Sequence, residues 1–198
     1  DPDRLKVVLM QMVRLVRGGE IVKLSKRSGK AITLVTLLDE VPIDAARFFF
    51  NLREPNTHCE FDLDLAVEQS SENPVYYVQY AHARICSILK NLAAEGISPR
   101  DFESCDFGLL TASEETELIR HLAALTGEII DAAVALDPSK ITRYAVELAT
   151  LFHKFYNSCR VRCDDEELMF ARLNLCICTK TVLKNVLELL KIDAPKTM

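Results

Sequence analysis

The chain has 198 residues, of which 49% are hydrophobic and 27% are charged, and its formal net charge is −5. This composition is typical of an ordered globular protein and excludes a disordered or fibrous chain. The charge is unevenly spread: residues 1–53 hold 10 Lys/Arg against 6 Asp/Glu, residues 54–137 hold 4 against 16, and residues 138–198 hold 10 against 7. The acidic sum therefore does not exclude a nucleic-acid partner at the two basic ends of the chain.

The first part of the chain predicts a β-hairpin followed by short helices. An apolar run at 5–16 and a second apolar segment at 21–24 flank Gly18-Gly19, and two glycines between such runs are typical of a hairpin turn. Thr or Pro stands at the start of two of the helical segments that follow, which supports a helix N-terminus there. The predicted short helices are 34–40, 43–53 and 63–70.

The rest of the chain predicts four long amphipathic helices, at 74–95, 113–135, 138–158 and 165–191. Asn-Pro and Asp-Pro pairs precede the first and the third of these helices, with Asp137 as the expected N-cap of the third. Four such helices with short connections favour an antiparallel bundle. The predicted fold is therefore mainly α: a helical bundle at 72–198, preceded at 1–71 by a segment with a short β-hairpin.

The cysteine pattern favours reduced thiols. The count of seven is odd, and most of the cysteines fall in apolar helical patterns, so a disulfide framework is not expected. Neither Cys159-x3-Cys163 nor Cys176-x-Cys178 has the spacing of a zinc site, and no metal is predicted. The chain also shows no secretory signal and no run of about 18 apolar residues. We therefore expect a cytoplasmic protein without a membrane span.

Other polar residues of the helices are expected to have structural roles. His82 and His153 lie on helix faces, and no Ser or Cys pairs obviously with either imidazole. Glu114, Glu115 and Glu117 fall in the first turn of the helix at 113–135, where carboxylates complement the helix dipole. We expect these three side chains to be solvated.

The helix at 74–95 carries two distinct faces. Tyr77, Tyr80 and Arg84 share one face, because they stand at i, i+3 and i+7. Aromatic rings and a guanidinium on one face can stack on unpaired RNA bases. The alternative is that the tyrosines pack inside the bundle with their hydroxyls satisfied, and spacing alone leaves both open. A second face supplies the core contact through Val78, Ala81, Ile85, Leu89 and Leu92.

Residues 21–30, IVKLSKRSGK, concentrate four cations around one glycine, which suggests a phosphate ligand. A Walker A loop is excluded, because Leu24 stands where that motif needs its first Gly and Ala31 follows the lysine. The segment 23–26 instead resembles the KMSK signature of class I aminoacyl-tRNA synthetases, with Leu for Met. Lysine ammonium groups in such a loop can meet the charge that develops on a departing pyrophosphate. A solvated basic loop is the plainer alternative.

Longer segments resemble arginyl-tRNA synthetases, and they occur in that family's order. The matching segments are VKLSKRSGKAITL (22–34), DAARFFF (44–50), FDLDLAVEQSSENPVYYVQYAHAR (61–84), ELATLFHKFYNSCRV (147–161), FARLNLC (170–176) and the terminal LLKIDAPKTM. The family's upstream His-x-Gly-His signature does not occur here. The resemblance is therefore to the C-terminal part of the enzyme, with the KMSK loop and the anticodon-binding domain.

The resemblance implies a function and a set of site residues. The full-length enzyme would activate arginine with ATP and Mg²⁺ and transfer it to arginine tRNA, whereas this part alone is expected to be inactive, monomeric and without bound cofactor. Catalytic roles would fall to Lys23, Ser25 and Lys26, with the two lysines serving ATP. The anticodon of arginine tRNA would be met by Tyr77, Tyr80, Arg84, Tyr156 and Met198.

Two other classes of function are compatible with parts of the sequence. One is a helical tRNA-binding or protein-interaction module without ligase activity, although such a module has no use for the lysine pair. The other is an unrelated enzyme with a cysteine thiolate nucleophile. That enzyme needs a Cys in an exposed and electropositive setting.

Overall fold

The structure, a computed structural model, describes residues 4–22 and 33–198. Lys23, Ser25 and Lys26, the residues predicted to act on ATP, lie outside the described residues. The described strands are β1 (Val13–Arg17), β2 (Glu20–Ile21) and β3 (Cys59–Asp62). The described α-helices are α1 (Leu34–Glu40), α2 (Ile43–Phe50), α3 (Leu63–Val67), α4 (Pro74–Ala94), α5 (Ser113–Ala135), α6 (Ser139–Ser158) and α7 (Glu166–Leu189). Two single-turn 3-10 helices, Phe102–Ser104 and Phe107–Leu109, lie between α4 and α5.

The predicted hairpin is confirmed, but it is shorter than expected. β1 and β2 pair antiparallel around Gly18 and Gly19, whose φ angles of +58° and +78° belong to the left-handed region that favours glycine. The apolar run was predicted to be extended from residue 5, whereas the strand begins at Val13. Most apolar side chains of residues 5–12 are exposed, so burial does not hold this segment in the sheet.

A third strand was not predicted. β3 pairs parallel with β1, which gives the strand order β2-β1-β3 and places Val13 opposite Cys59. α3 also bonds to the turn between β1 and β2, because the Asp64 carboxylate accepts a hydrogen bond of 2.7 Å from the backbone N–H of Gly18. This small sheet shares one hydrophobic core with the helices, through Phe48 and Phe61.

The four long helices form the body of the protein, and α6 contacts α4, α5 and α7. Their core contains several large side chains that are completely buried: Ile85, Leu118, Leu148, Phe152, Phe155, Leu173, Leu183 and Leu187. The prediction of four long helices is confirmed, with ends that agree to within two residues. Among the described helices, none combines the length and apolar character that crossing a bilayer requires.

Three short-range predictions need correction. α2 ends at Phe50 rather than residue 53, and α3 ends at Val67 rather than residue 70. α6 begins one residue later than expected, at Ser139, whose backbone N–H is bonded to the Asp137 carboxylate at 3.0 Å.

The prediction that all three glutamates of the first turn of α5 are solvated is wrong for Glu115. This side chain is 1% exposed, and its two oxygens accept hydrogen bonds from Arg172 Nε at 2.6 Å and from the Ala112 backbone N–H at 2.9 Å. A charged carboxylate is tolerated in the interior only with such partners. The arginine that pairs with Glu115 comes from α7, 57 residues further along the chain.

The C-terminal residues run back along α2 and α4. Gln79 Nε2 donates to the carbonyl O of Asp193 at 2.9 Å, and Arg47 donates to the carbonyl O of Lys191 at 2.5 Å. His82 Nδ1 lies 2.8 Å from the carbonyl O of Pro195, to which it donates. His82 therefore has a structural role, because it fixes the course of the chain toward Met198.

Candidate nucleic-acid interface

The start of α4 is fixed by Asn73, which is buried and bonds in two directions. Its Oδ1 accepts from the backbone N–H of Val75 at 3.2 Å, and its Nδ2 donates to the carbonyl O of Glu68 at 2.9 Å. The first bond caps the helix and sets which residues of α4 face the bundle. The second holds the preceding loop, residues 68–72, against the helix N-terminus.

The two predicted faces of α4 are both present. Val78, Ala81 and Ile85 are completely buried, and Leu92 is 5% exposed. Tyr77 and Arg84 are half-buried on the other face, whereas Tyr80 is 37% exposed. This second face of α4 lies opposite the outer side of α6.

The rings of α4 and α6 meet at this face. His153 of α6 lies with its ring centroid 4.8 Å from that of Tyr77 and 5.8 Å from that of Tyr80. The rings of Tyr76 and Tyr80 are nearly parallel, with an angle of 7° and centroids 6.4 Å apart. Such offset arrangements are favourable between π-systems and leave ring faces available at the edge of the group.

Arg84 joins this group to Tyr156. Its guanidinium donates to the hydroxyls of Tyr80 and Tyr156, each at 3.3 Å, and its Cζ lies 4.8 Å from the centroid of the Tyr156 ring. Arg84 makes no ion pair with a carboxylate of the described residues. Its positive charge is therefore positioned but not neutralised. We call this group the aromatic cluster; its members are Tyr76, Tyr77, Tyr80, Arg84, His153 and Tyr156.

A pocket of about 520 Å³ lies against the aromatic cluster. Its other walls come from the loop before α4 and from Asn157 at the end of α6: the lining residues outside the cluster are Gln69, Ser70, Ser71 and Asn157. The size is that of a site for a nucleotide-sized ligand. Amide and hydroxyl groups on one side and ring faces on the other suit a planar base with polar edges.

Met198 lies in a neighbouring pocket rather than in this one. That pocket, of about 330 Å³, also contacts Tyr76, Gln79 and Asp193. Met198 itself is 52% exposed. Of the predicted anticodon residues, the structure thus brings together Tyr77, Tyr80, Arg84 and Tyr156, and it places Met198 beside them, across Tyr76.

His153 is one of two members of the cluster that the sequence-based prediction does not include. Burial, followed by the positive charge of Arg84, holds the pKa of His153 below its ordinary value of 6.5. Its Nε2 is buried and has no hydrogen-bond partner among the described residues. The His153 ring thus lies against Tyr77 and Tyr80 of α4 and also against Phe152 of the core.

Tyr76, the other such member, and Asn157 of the pocket are not included in the sequence-based prediction either. Tyr76 precedes a tyrosine already assigned to the outer face, and its stacking on Tyr80 follows the i, i+4 spacing that could have indicated it. Asn157 has no such signal, because its place depends on how α6 crosses α4. Tyr77 and Tyr156 pack against the core, whereas Tyr80 keeps a more accessible ring.

At least four of the seven cysteines lack the setting that a thiolate nucleophile needs. All seven are free thiols, and Cys59, Cys159 and Cys176 are buried. Burial raises the pKa of Cys176 to about 12 and raises the pKa values of Cys59, Cys159 and Cys178. These four thiols stay protonated at neutral pH, so they are poor nucleophiles. Within residues 4–22 and 33–198, no three His, Cys, Asp or Glu side chains converge on a metal position.

Comparison with known proteins identifies a family that this chain matches. Residues 78–198 match the DALR anticodon binding domain family. The full chain is 56% identical to an arginine–tRNA ligase of Caldanaerobacter subterraneus subsp. tengcongensis and 52% identical to one of Acetivibrio thermocellus. In each case the alignment covers 100% of this chain and 35% of the relative. The chain thus spans about a third of the length of the curated relatives that it matches.

Solved structures agree with these relationships. A Campylobacter jejuni crystal structure assigned as an arginyl-tRNA synthetase is 31% identical, with a TM-score of 0.85 over 99% of this chain and 42% of that chain. The Thermus thermophilus arginyl-tRNA synthetase is 24% identical, with a TM-score of 0.74 over 93% of this chain and 34% of that chain, and it supports the fold alone. The resemblance found in the sequence is confirmed.

Proposed function

The chain belongs to the DALR anticodon binding domain family, and we propose that it binds the anticodon arm of arginine tRNA through the aromatic cluster. The observation that carries this proposal is the position of Arg84, which is held by the hydroxyls of Tyr80 and Tyr156 and is not neutralised by a carboxylate of the described residues. Family membership supports an anticodon partner, and the match to arginine–tRNA ligases supports arginine tRNA as that partner.

The arrangement suits unpaired bases for a physical reason. Single-stranded RNA presents base faces and base edges, and proteins bind them by stacking on aromatic or guanidinium planes together with hydrogen bonds to the edges. Each stacked base typically contributes about 1–3 kcal/mol. Tyr80 offers the more accessible ring, and Gln69, Ser71 and Asn157 offer polar groups around the same pocket. Met198 would add an apolar contact beyond Tyr76.

For the whole protein we propose arginine–tRNA ligase activity, with arginine, ATP and Mg²⁺ as reactants. In this proposal Lys23, Ser25 and Lys26 form the KMSK-like loop, and the two lysines bind the phosphates of ATP. The proposed division is an end of the catalytic domain at 1–71 and the anticodon-binding domain at 72–198. We also propose that the protein is cytoplasmic and monomeric, as the family resemblance implies. We propose no catalytic step for this chain by itself.

The test is a tRNA-binding titration with the 198-residue chain. An arginine-accepting tRNA and two unrelated tRNAs are titrated at one moderate salt concentration, with the unsubstituted chain and with Tyr77→Ala and Arg84→Ala. We expect preferential binding of the arginine tRNA and loss of that preference on either substitution. Weak binding of all three tRNAs, unaffected by the substitutions, would mean either that specificity needs the rest of the ligase or that the tyrosines belong to the core and the site assignment is wrong.

A further inference from the structure

A second pocket lies beyond the aromatic cluster, where the end of α4 meets the linker from α6 to α7. Its volume is about 460 Å³, and its walls include Asn91, Tyr156, Asn157, Arg160 and Arg162. Asn157 also lines the pocket of the aromatic cluster, so the two pockets are adjacent. We call the second one the Arg160 pocket.

The two pockets lie along one stripe of α4. Tyr77, Arg84 and Asn91 follow one another at seven-residue steps, which keeps them on the same side of a helix. The 14 residues from the first to the last correspond to about 21 Å along the helix axis, at 1.5 Å per residue. This distance is longer than one base, so an RNA strand with a base stacked on the tyrosines can continue into the Arg160 pocket.

The two arginines of this pocket differ in their partners. Arg162 Nε is 3.2 Å from a carboxylate oxygen of Glu95, so its charge is already paired. Arg160 is exposed and makes no ion pair within the part of the chain that the structure describes. An arginine in this state retains five donors in a planar fork that matches a phosphate group.

The backbone at Arg160 is anchored from the interior. Arg172 donates through one guanidinium nitrogen to the carbonyl O of Arg160 at 2.9 Å and through Nε to Glu115 at 2.6 Å. The buried Glu115 is in turn bonded to the start of α5. The ion pair thus fixes the linker at the residue that carries the unpaired charge. The backbone that carries the Arg160 side chain is therefore ordered before a ligand binds, which lowers the entropic cost of binding.

We propose that the Arg160 pocket binds a phosphate of the RNA strand next to the bases stacked on the aromatic cluster, with Arg160 as the phosphate ligand. The side-chain amides of Asn91 and Asn157 are available to the ribose or base of the same nucleotide. This inference rests on the proposed function, because it requires that the aromatic cluster binds RNA. It adds a contact that supplies affinity rather than sequence preference, since every RNA sequence carries the same phosphates.

The experiment measures the salt dependence of binding. An arginine-accepting tRNA and an unrelated tRNA are titrated over a range of salt concentrations with the unsubstituted chain, Arg160→Gln and Arg160→Lys. Arg120→Gln is the matched control, because Arg120 is an exposed arginine of α5 that lines a different pocket, with Glu117 and Glu147. Thermal unfolding of each variant verifies that the fold is retained.

For Arg160→Gln we expect about tenfold weaker binding of both tRNAs, since one charge-assisted hydrogen-bonded contact is lost. The slope of log K against log salt should fall in magnitude by about 0.7, the value for one phosphate of a single strand. Arg160→Lys should keep the slope, and Arg120→Gln should change neither quantity.

An Arg160→Gln variant with unchanged affinity and slope would overturn the inference. Failure of the proposed function has a different signature: the unsubstituted chain then shows no preference for the arginine tRNA, whatever the slopes. A reduced slope without any preference would show that Arg160 contacts a phosphate, but it would reject anticodon recognition and with it the placement of that phosphate beside stacked bases.

Discussion

The two faces of α4 differ in what covers them. The face of Val78, Ala81 and Ile85 is completely buried, whereas the face that carries Tyr80 and Arg84 contacts α6 and borders the pocket of the aromatic cluster, where Tyr80 is 37% exposed. On the first face, apolar side chains gain stability from burial. On the second, rings and a guanidinium remain partly accessible, where they can contact a ligand. One helix can therefore support the fold and the site, and substitutions should separate the two roles.

The largest effect is expected on the covered face. Ile85→Ala should lower the free energy of unfolding by about 2–5 kcal/mol, because it removes buried methyl groups and leaves a cavity. Denaturant unfolding measures this loss. The ratio of affinities for arginine and unrelated tRNAs should stay unchanged under conditions where the variant is folded. Lys90→Ala, an exposed position of the same helix, is the control and should stay within about 0.5 kcal/mol. A folded Ile85→Ala chain that loses tRNA discrimination would contradict the separation of the two faces.

The next effect is expected on the accessible face. Tyr80→Ala should weaken binding of arginine tRNA by about 1–3 kcal/mol, the contribution of a stacked base, with a smaller change in stability. Tyr80→Phe keeps the ring and loses only the hydroxyl that accepts from Arg84 at 3.3 Å. The phenylalanine variant should therefore bind much more tightly than the alanine variant in an equilibrium titration. Equal losses for both variants would assign the effect to the hydroxyl rather than to stacking.

The sequence was sufficient to predict α4 and its two faces, because their causes are local. Asn73-Pro74 provides the helix start, and the spacing of Val78, Ala81 and Ile85 provides the buried face. The same holds for the other long helices. The grouping of Tyr80 with Arg84 also follows from helix periodicity. Assignment of this face to an anticodon came instead from the family resemblance.

Features that depend on distant partners could not be predicted in this way. β3 has only four residues, and its pairing partner lies about 46 residues earlier, so no local period marks it. Glu115 has the sequence context of a solvated first turn, and its burial depends on Arg172 of α7. His153 enters the aromatic cluster through the packing of α6 on α4. Each of these misses concerns a contact between elements, about which a periodic pattern has no information.

A smaller effect is expected at the helix start that serves both faces. Asn73→Ala removes the cap to Val75 and the bond to Glu68, and it should lower the free energy of unfolding by about 1–2 kcal/mol. Asn73→Ser keeps a cap acceptor but cannot make both bonds, so its loss should be intermediate. Because the loop at 68–72 lines the pocket of the aromatic cluster, tRNA affinity should fall in the same order. Denaturant unfolding and tRNA titration of the unsubstituted chain, Asn73→Ala and Asn73→Ser measure the stability and the affinity. Loss of stability without any loss of affinity would show that the loop does not contribute to the site.

The smallest effect is a pH dependence at the boundary of the two faces, where His153 lies. Burial and the charge of Arg84 hold the pKa of His153 below 6.5, so between that lowered value and about 6.5 the unfolded chain binds the proton more strongly than the folded chain. Stability from this group is therefore fully present above pH 6.5 and decreases as the pH falls toward the lowered pKa. His82, whose pKa burial also lowers, acts in the same direction.

His153→Asn should flatten the dependence of the unfolding free energy between about pH 7 and 5 without abolishing it, and denaturant unfolding across that range measures the slope. If the pH dependence of the unfolding free energy persists in full in His153→Asn, the His153 imidazole takes up its proton as readily in the folded chain as in the unfolded one. The accessible face would then be more open to water at α6 than its ring contacts indicate.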